Sequence, residues 1–319
     1  MSLIERAIGK LGETPGKLAP TPERAMDAIR DRAPGVEPAT AAPGRSLPLG
    51  SGPVGAEPAR MRERQPTVEP GSAPALRLDV ASLVTRGFVS PEGLRSPVAQ
   101  DFRVIKRPLL ANAFGRGTAA LPNGRCVMVS SAFPDEGKTF SAVNLALSVA
   151  TERDTEVVLV DADVARPSLP EVLGVPPVPG LMDGLLDSSI DLDALVRPTS
   201  IDRLSLMLSG RGHDAATELL ASDAMVQMIA RLMARFPQAL IVFDSPPLLL
   251  TTESRVLATH MGQIVLVVEA GRTPREAVKE ALSTVEGCGF VGMVLNKSAG
   301  SKQGYGYGYG GQHGYGDRG

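Results

Sequence analysis

Six short apolar segments that alternate with helix-like segments limit most strongly how this chain can fold. The apolar segments lie at 126–131, 156–163, 204–210, 239–245, 263–271 and 291–297, and helical patterns fit between them at 139–152, 215–236, 251–260 and 274–287. The central apolar segments are hydrophobic at consecutive positions, which is typical of strands buried on both faces of a sheet. This order predicts an α/β fold with a doubly wound, mostly parallel sheet that is flanked by helices.

The first hundred residues have a composition that does not favour folding. They hold 14 of the 27 prolines in the 319-residue chain and a single aromatic residue, Phe88. Such a segment buries too little apolar surface to offset the entropy of ordering, so we expect roughly 12–76 to be a disordered linker. We therefore divide the chain into a short N-terminal helix with this linker (1–77), a folded domain (78–298) and a disordered tail (299–319).

Helical segments are also predicted before the first strand. Ser2 to Glu5 fits a capping box and begins a short helix with an apolar face, which either frays or docks on a partner or a membrane surface. LRLDVASLVTRGF (76–88) and SPVAQDFRVIKRPLLANAF (96–114) follow the linker. Because proline lacks an N–H group, we expect the second of these to be broken or kinked near Pro108.

Charge, cysteine content and hydropathy argue against several classes of protein. The formal net charge of −2 argues against a dedicated nucleic-acid surface. Cys126 and Cys288 fall in or beside predicted core elements, so we interpret them as buried hydrophobic residues in a reducing compartment, without a disulfide. We find no stretch of 18 apolar residues and no secretory leader, and we expect a cytoplasmic protein. Three histidines lack metal-ligand spacing: His213, His260 and His313.

A phosphate-binding loop follows the first predicted strand and begins a helix. Residues 132–139 read A-x-x-x-x-G-K-T, a Walker A pattern with alanine in place of the first glycine. The loop N–H groups and the helix N-terminus would hold phosphate oxygens, Lys138 would reach the β- and γ-phosphates, and Thr139 would bind Mg²⁺. The strand before the loop and the helix after it predict a P-loop NTPase. Its nucleotide-binding residues are Ala132, Pro134, Asp135, Glu136, Gly137, Lys138, Thr139 and Phe140.

Carboxylates follow two other predicted strands. Asp161 and Asp163 lie at the end of VVLVDAD, and Asp244 ends LIVFD before two prolines. Unpaired carboxylates at buried strand ends are costly, so we expect a cation or a proton-transfer role. Asp244 would hold Mg²⁺ together with Thr139 and Asp161, and either Asp161 or Asp163 is a candidate general base. A helix cap or a salt bridge to Arg166 is the simpler alternative for the first pair.

These motifs and the tyrosine-rich C-terminus together resemble the bacterial tyrosine kinases that govern capsule and exopolysaccharide production. The resemblance covers about 78–316. SLIERA, FRVIKRPLLANAF, RPSLPEVLGV, ATELLAS and VVEAGRTPREAVKEAL are most similar to autokinases of exosortase-linked polysaccharide loci. The resemblance implies that the domain over 78–298 is an ATP- and Mg²⁺-dependent protein-tyrosine kinase. It also implies that Lys138, Asp161, Asp163 and Asp244 are catalytic and that Arg166 and Asn296 contact the nucleotide, Asn296 at the adenine base.

The family resemblance also implies partners. A helix with the pattern E-x-x-R-x-x-R assembles subunits in the family, and the matching positions here are Gln100, Arg103 and Lys106. Arginine and lysine are not interchangeable at bidentate contacts, but self-association is still expected. A membrane chain-length determinant, also called a polysaccharide co-polymerase, would recruit the kinase to the inner face of the plasma membrane. A tyrosine phosphatase would reverse its action.

The tail carries every tyrosine of the chain. The stretch GYGYGYGGQHGYG (304–316) contains Tyr305, Tyr307, Tyr309 and Tyr315, and the composition counts four in total. Glycines beside each tyrosine prevent stable structure and let the backbone extend into a cleft. We expect these tyrosines to be the phosphate acceptors, modified in trans between subunits. Each phosphate adds about −1.5 to −2 charge, so phosphorylation should loosen the assembly.

Two other functions stay open on the sequence. A positioning ATPase of the MinD/ParA type shares the fold, but it carries a signature lysine where this chain has Phe133, and it lacks a tyrosine tail. A nucleotide-gated scaffold with weak catalysis is the second alternative, because Ala165 replaces an arginine of the kinase motif.

Overall fold

Seven strands form a single sheet in the part of the chain that the computed structural model describes, which is 74–90, 95–115 and 120–298. They are β1 (Cys126–Ser131), β2 (Glu156–Asp161), β3 (Arg197–Pro198), β4 (Leu204–Met207), β5 (Ala239–Asp244), β6 (Gln263–Glu269) and β7 (Val291–Asn296). Their order is β3-β4-β2-β5-β1-β6-β7, and every pair is parallel except β3 with β4. The predicted doubly wound, mostly parallel sheet is confirmed.

Ten helices lie within the same described ranges. They are α1 (Val80–Thr85), α2 (Pro97–Phe114), α3 (Lys138–Ala150), α4 (Leu169–Leu173), α5 (Leu181–Leu186), α6 (Leu192–Leu195), α7 (Ala216–Leu220), α8 (Asp223–Arg235), α9 (Thr252–Ala258) and α10 (Arg275–Ser283). None of the helices in these ranges combines the length and the apolar character that crossing a bilayer requires. The predicted N-terminal helix, most of the linker and the tyrosine tail lie outside the described residues.

Two helical predictions differ from the structure. The segment predicted as one helix over 215–236 forms α7 and α8, because Ser222 is extended between them and its hydroxyl donates to the Leu219 carbonyl at 2.7 Å. Serine competes with the helix for backbone hydrogen bonds in this way. Conversely, α2 is not broken at Pro108, since buried Phe102 and Leu109 pack the helix on both sides of the proline, whereas a kink there stays a prediction.

The core lies on both faces of the sheet, as the unbroken apolar runs predict. Along β1, Val127 and Val129 pack into the cluster that includes α2 and α3, while Met128 packs into the opposite cluster with α5, α8 and α9. Alternate residues of a strand point to opposite faces, so a strand covered on both sides is apolar throughout. Cys126 is buried in the second cluster and Cys288 is half-buried, and both thiols are free.

The folded part extends slightly beyond the predicted boundary. Leu76 is buried, its N–H donates to the Pro198 carbonyl at 2.8 Å, and its carbonyl accepts from the Ser200 N–H at 2.9 Å. This end of the predicted linker is therefore attached to the sheet edge beside β3.

The parallel strands bring the predicted motifs to one edge of the sheet. β5 lies between β1 and β2, and Asp161 and Asp244 are register partners at the ends of β2 and β5. The loop after β1 leaves from the same edge. Ligands of doubly wound sheets bind beyond the carboxyl ends of the strands, so this edge is the candidate site.

Candidate active site

The loop between β1 and α3 has the backbone shape of a phosphate-binding loop. Asp135 and Gly137 are left-handed, with φ values of +63° and +95°, and α3 begins at Lys138. The positive end of the helix dipole and its unpaired N–H groups therefore face the space in front of the loop.

A cleft of about 710 Å³ lies in front of this loop. Its walls come from the phosphate-binding loop, from the segment after β2 and from the segment after β5. The residues that line it are Pro134, Asp135, Gly137, Lys138, Thr139, Phe140, Asp163, Ala165, Arg166, Ser168, Pro246, Pro247, Leu250 and Thr251.

Asn296 fixes the backbone of the loop from the end of β7. Its side-chain amide donates to the Glu136 carbonyl at 2.8 Å. A Cβ atom on Gly137 would lie 2.1 Å from the Asn296 Nδ2 atom, so a glycine is needed here for space as well as for its positive φ. The contact of Asn296 with adenine stays a prediction.

Lys138 and Asp163 form a partly enclosed ion pair. The Lys138 Nζ atom lies 2.8 Å from Oδ2 of Asp163. Burial alone would lower the pKa of Lys138, but the carboxylates of Asp244, Asp163 and Asp161 raise it above its usual value. Arg166, the alternative salt-bridge partner, instead donates its backbone N–H to Asp163 at 3.2 Å and lines the cleft.

Asp161 and Asp244 are fully buried without hydrogen-bond partners. None of their four carboxylate oxygens makes a hydrogen bond of normal geometry. Unpaired buried carboxylates are unfavourable unless a cation joins them, so these oxygens fit a hard cation. Thr139, whose hydroxyl lies 3.0 Å from that of Ser168, completes the predicted Mg²⁺ set.

The pKa values of both carboxyls are raised. Burial, with added repulsion from Asp244 and Asp163, raises the pKa of Asp161 to about 8. Burial also raises the pKa of Asp244 to about 7. The positive charge of Lys138 and the nearby Thr139 hydroxyl, which is not in normal hydrogen-bonding geometry, both act to lower this pKa. A cation would lower both values and keep the two groups ionised.

No described group of three His, Cys, Asp or Glu side chains could hold a metal ion by itself. Mg²⁺ does not need one, since it is commonly held by one or two carboxylates together with substrate phosphates. The arrangement of Thr139, Asp161 and Asp244 therefore fits a magnesium ion that arrives with a nucleotide.

The predicted assembly residues do not share one surface. Gln100 and Arg103 are exposed on α2, whereas Lys106 is buried. The Lys106 ammonium is 2.8 Å from Glu152 and donates to the Ser148 carbonyl at 2.5 Å, at the end of α3. In this structure Lys106 joins two helices of the same chain. The four predicted acceptor tyrosines lie outside the described residues.

Several contributors to the site were not found from the sequence. Ser168, Leu250 and Thr251 line the cleft but belong to no motif with fixed spacing. The side chain of Glu136 also lies elsewhere than expected, since it packs behind the phosphate-binding loop and not along the cleft. Nothing in the sequence around Glu136 predicts that its side chain points away from the cleft.

The sheet, the loop and the paired carboxylates define a P-loop nucleotide-binding protein. No protein-family model matches the chain. It is 28% identical over 237 residues to the tyrosine-protein kinase YwqD of Bacillus subtilis, covering 73% of this chain and 95% of that protein. It is 30% identical over 187 residues to the tyrosine-protein kinase CpsD of Streptococcus agalactiae, covering 57% of this chain and 78% of that protein.

A solved structure agrees with these relatives. The kinase domain of the Escherichia coli tyrosine kinase ETK matches with a TM-score of 0.50 and 26% identity, covering 58% of this chain and 72% of that one. Longer tyrosine kinases also match, and the chain spans only about a quarter of their length. The chain belongs to the family of bacterial tyrosine kinases. The positioning-ATPase alternative is not favoured, since these relatives are named protein-tyrosine kinases.

Proposed function

We propose that this kinase transfers the γ-phosphoryl group of ATP to the tyrosines of its own C-terminal segment. The observation that carries the proposal is the grouping of Lys138 and Asp163 with the unpaired carboxylates of Asp161 and Asp244. Phosphoryl transfer depends on positioning and charge neutralisation, and these are the groups that provide both.

The phosphate-binding loop would hold the nucleotide. Backbone N–H groups of 134–139 and the start of α3 would bind the phosphates. Arg166 lines the cleft, and Asn296 holds the loop backbone through the Glu136 carbonyl. Thr139, Asp161 and Asp244 would hold Mg²⁺, which neutralises charge on the β- and γ-phosphates.

Lys138 and Asp163 would separate when the nucleotide binds. Lys138 moves its positive charge from the Asp163 carboxylate to the phosphate oxygens. Asp163 lines the cleft whereas Asp161 is buried beneath it, which favours Asp163 as the general base. The phenol oxygen bonds to the γ-phosphorus, the bond to the bridging oxygen breaks to leave ADP, and the phenol proton goes to Asp163.

The acceptor tyrosines begin close to the site in the sequence. Lys297, next to the last described residue, donates from Nζ to the Asp135 carbonyl of the phosphate-binding loop at 2.5 Å. From Ser298 to Tyr305 is a span of at most roughly 25 Å when extended. Tyr305 can therefore reach the cleft of its own or a neighbouring chain, and we propose transfer in trans between self-associated chains. Charged tails would then loosen the assembly.

The relatives support a setting in polysaccharide export. One protein that is 29% identical over 209 residues is named a succinoglycan biosynthesis transport protein, in Rhizobium meliloti. We propose that a membrane chain-length determinant recruits this kinase to the cytoplasmic face of the membrane, and that a tyrosine phosphatase resets it. The quoted motifs further favour an exosortase-linked polysaccharide locus.

A phosphotyrosine assay on the full chain tests the proposal. Wild type with ATP and Mg²⁺ should gain phosphotyrosine, and Lys138→Met and a deletion of 304–316 should not. Lys279→Met is the matched control, since Lys279 pairs with exposed Glu276 and does not line the cleft, and it should behave as wild type. ATP hydrolysis without phosphotyrosine would instead support a positioning ATPase.

A further inference from the structure

The back of the phosphate-binding loop is held by a second set of residues. Among 134–140, all of which the structure describes, Glu136 is the residue that does not line the cleft. It is 3% exposed, so its carboxylate needs partners inside the protein.

Both carboxylate oxygens of Glu136 have partners. Oε2 accepts the Phe133 N–H at 3.0 Å, which closes the loop on itself. Oε1 accepts the hydroxyl of Thr273, from the segment between β6 and α10. The same hydroxyl oxygen accepts the Glu269 N–H at 3.0 Å. Thr273 therefore links the end of β6 to the buried carboxylate behind the loop.

The end of β7 adds a second support. Lys297 donates to the Asp135 carbonyl at 2.5 Å and lies 3.2 Å from the Glu269 carboxylate. Glu269 therefore takes part in both supports, through its N–H to Thr273 and through its carboxylate to Lys297.

The phosphate-binding loop contains a non-glycine residue in the left-handed conformation, which surrounding contacts have to stabilise. Asp135 is left-handed without being glycine, and so is Lys297, with φ values of +63° and +54°. Conformations of this kind persist when surrounding contacts hold them in place, and they concentrate at functional sites. The carbonyl that Lys297 binds belongs to the strained residue itself.

We propose that Thr273 and Lys297 are positioning residues that hold the empty phosphate-binding loop in its nucleotide-binding shape. The inference rests on the proposed function only in taking the cleft as the nucleotide site. A loop that is shaped in advance binds more tightly, because less ordering has to occur on binding. Once bound, phosphates hold the loop themselves. The two residues should therefore affect nucleotide affinity and leave the rate at saturating ATP nearly unchanged.

Thr273→Val tests this, because it keeps the shape of the side chain and removes the hydroxyl. We expect the Kd of a fluorescent ADP analogue and the KM for ATP to rise about tenfold, with kcat within about twofold of wild type. Thr273→Ser restores the hydroxyl and should restore both constants. Thr284→Val is the matched control, since it removes a hydroxyl that bonds only within its own helix region.

The outcomes separate this inference from the proposed function. If Thr273→Val and Thr273→Ser bind the analogue equally, the positioning role is wrong and the kinase proposal stands. A fall in kcat without a rise in KM also overturns the positioning role. If wild type binds no nucleotide, the proposed function fails and this inference fails with it. Lys297→Met, at a half-exposed side chain, gives the same test should Thr273→Val not fold.

Discussion

The Lys138 ammonium lies 2.8 Å from the Asp163 carboxylate, so the lysine of the phosphate-binding loop is paired with the strand end beside it. The pair is nearly enclosed, since 13% of the Lys138 side chain and 5% of the Asp163 side chain are exposed. Under the proposed function, Lys138 exchanges this carboxylate for phosphate oxygens when the nucleotide binds. Asp163 would then remain in the cleft to act as the base.

Asp163→Asn should separate binding from catalysis. The amide cannot accept the phenol proton, so we expect phosphotyrosine formation to slow by at least about a hundredfold. Nucleotide affinity should be equal to wild type or higher, because a negative charge near the phosphates is removed. Asp193→Asn, in the exposed pair with Arg235, serves as the control for both assays. An unchanged phosphorylation rate would exclude Asp163 as the base.

The stability of the nucleotide-free protein should fall as the pH rises from 5 to 9. Asp161 has a pKa of about 8 in the folded chain, against about 3.9 when unfolded. A raised carboxyl pKa stabilises the folded state below the unfolded pKa, and this contribution is lost as the pH rises through the folded value. Thermal unfolding should show a decrease in Tm on the order of 5 °C.

Two controls identify the source of this pH dependence. Asp161→Asn should make the decrease smaller, because the amide does not ionise and only the raised pKa of Asp244 remains. Mg²⁺ with ADP should also make it smaller, since a bound cation favours the ionised carboxylates. A wild-type Tm that rises between pH 6 and 9 would contradict the buried, unpaired state of the two carboxyls.

Gly137→Ala should abolish nucleotide binding without unfolding the protein. The added Cβ would meet the Asn296 amide at 2.1 Å and would also sit at a φ of +95°. Gly174→Ala is a matched control, because Gly174 is also left-handed, at +66°, but has nothing within 4 Å of a Cβ. Titration with a fluorescent nucleotide checks this. Equal affinities for the two variants would mean that the approach of Asn296 to the loop is not required.

Lys106→Met should lower the free energy of unfolding by about 1–3 kcal/mol, because Glu152 and the Ser148 carbonyl lose a buried partner while Glu152 keeps its longer contact with Arg107. Denaturant unfolding measures the loss, and Lys279→Met in an exposed ion pair should cost almost nothing. If Lys106→Met kept its stability and changed only the size of the assembly, Lys106 would be an intersubunit contact after all.

The fold could be predicted because each strand is identified by a short run of neighbouring apolar residues. Unbroken apolar runs such as CVMV and ALIVF identify strands buried on both faces, and the motif positions then follow from the sheet. The break between α7 and α8 was missed, since Ser222 acts through its own backbone conformation and its hydroxyl. The hydrophobic pattern over 215–236 does not indicate that the helix breaks there.

The residues predicted to bind the nucleotide and Mg²⁺ could be recognised from short sequence motifs. The residues that hold the phosphate-binding loop in place could not, because they lie far from it in the sequence. Lys138, Thr139 and the three aspartates stand in recognisable motifs. Thr273 lies 137 positions from Glu136, and Asn296 lies 160 positions from it. A single sequence holds no sign of which distant hydroxyl or amide packs behind a loop. The burial of Lys106 was missed for the same reason, because its partner Glu152 lies 46 positions away, in the turn that follows α3.

Transfer of phosphate to the tail is the central claim, and site-resolved mass spectrometry of a mixture tests it most directly. Full-length Lys138→Met supplies intact tyrosines, and a variant lacking 304–316 supplies the active site, so phosphate on the tail has to come from another chain. We expect phosphate on one or more of Tyr305, Tyr307, Tyr309 and Tyr315, dependent on ATP and Mg²⁺. An unmodified tail in this mixture and in the wild-type protein would contradict the account.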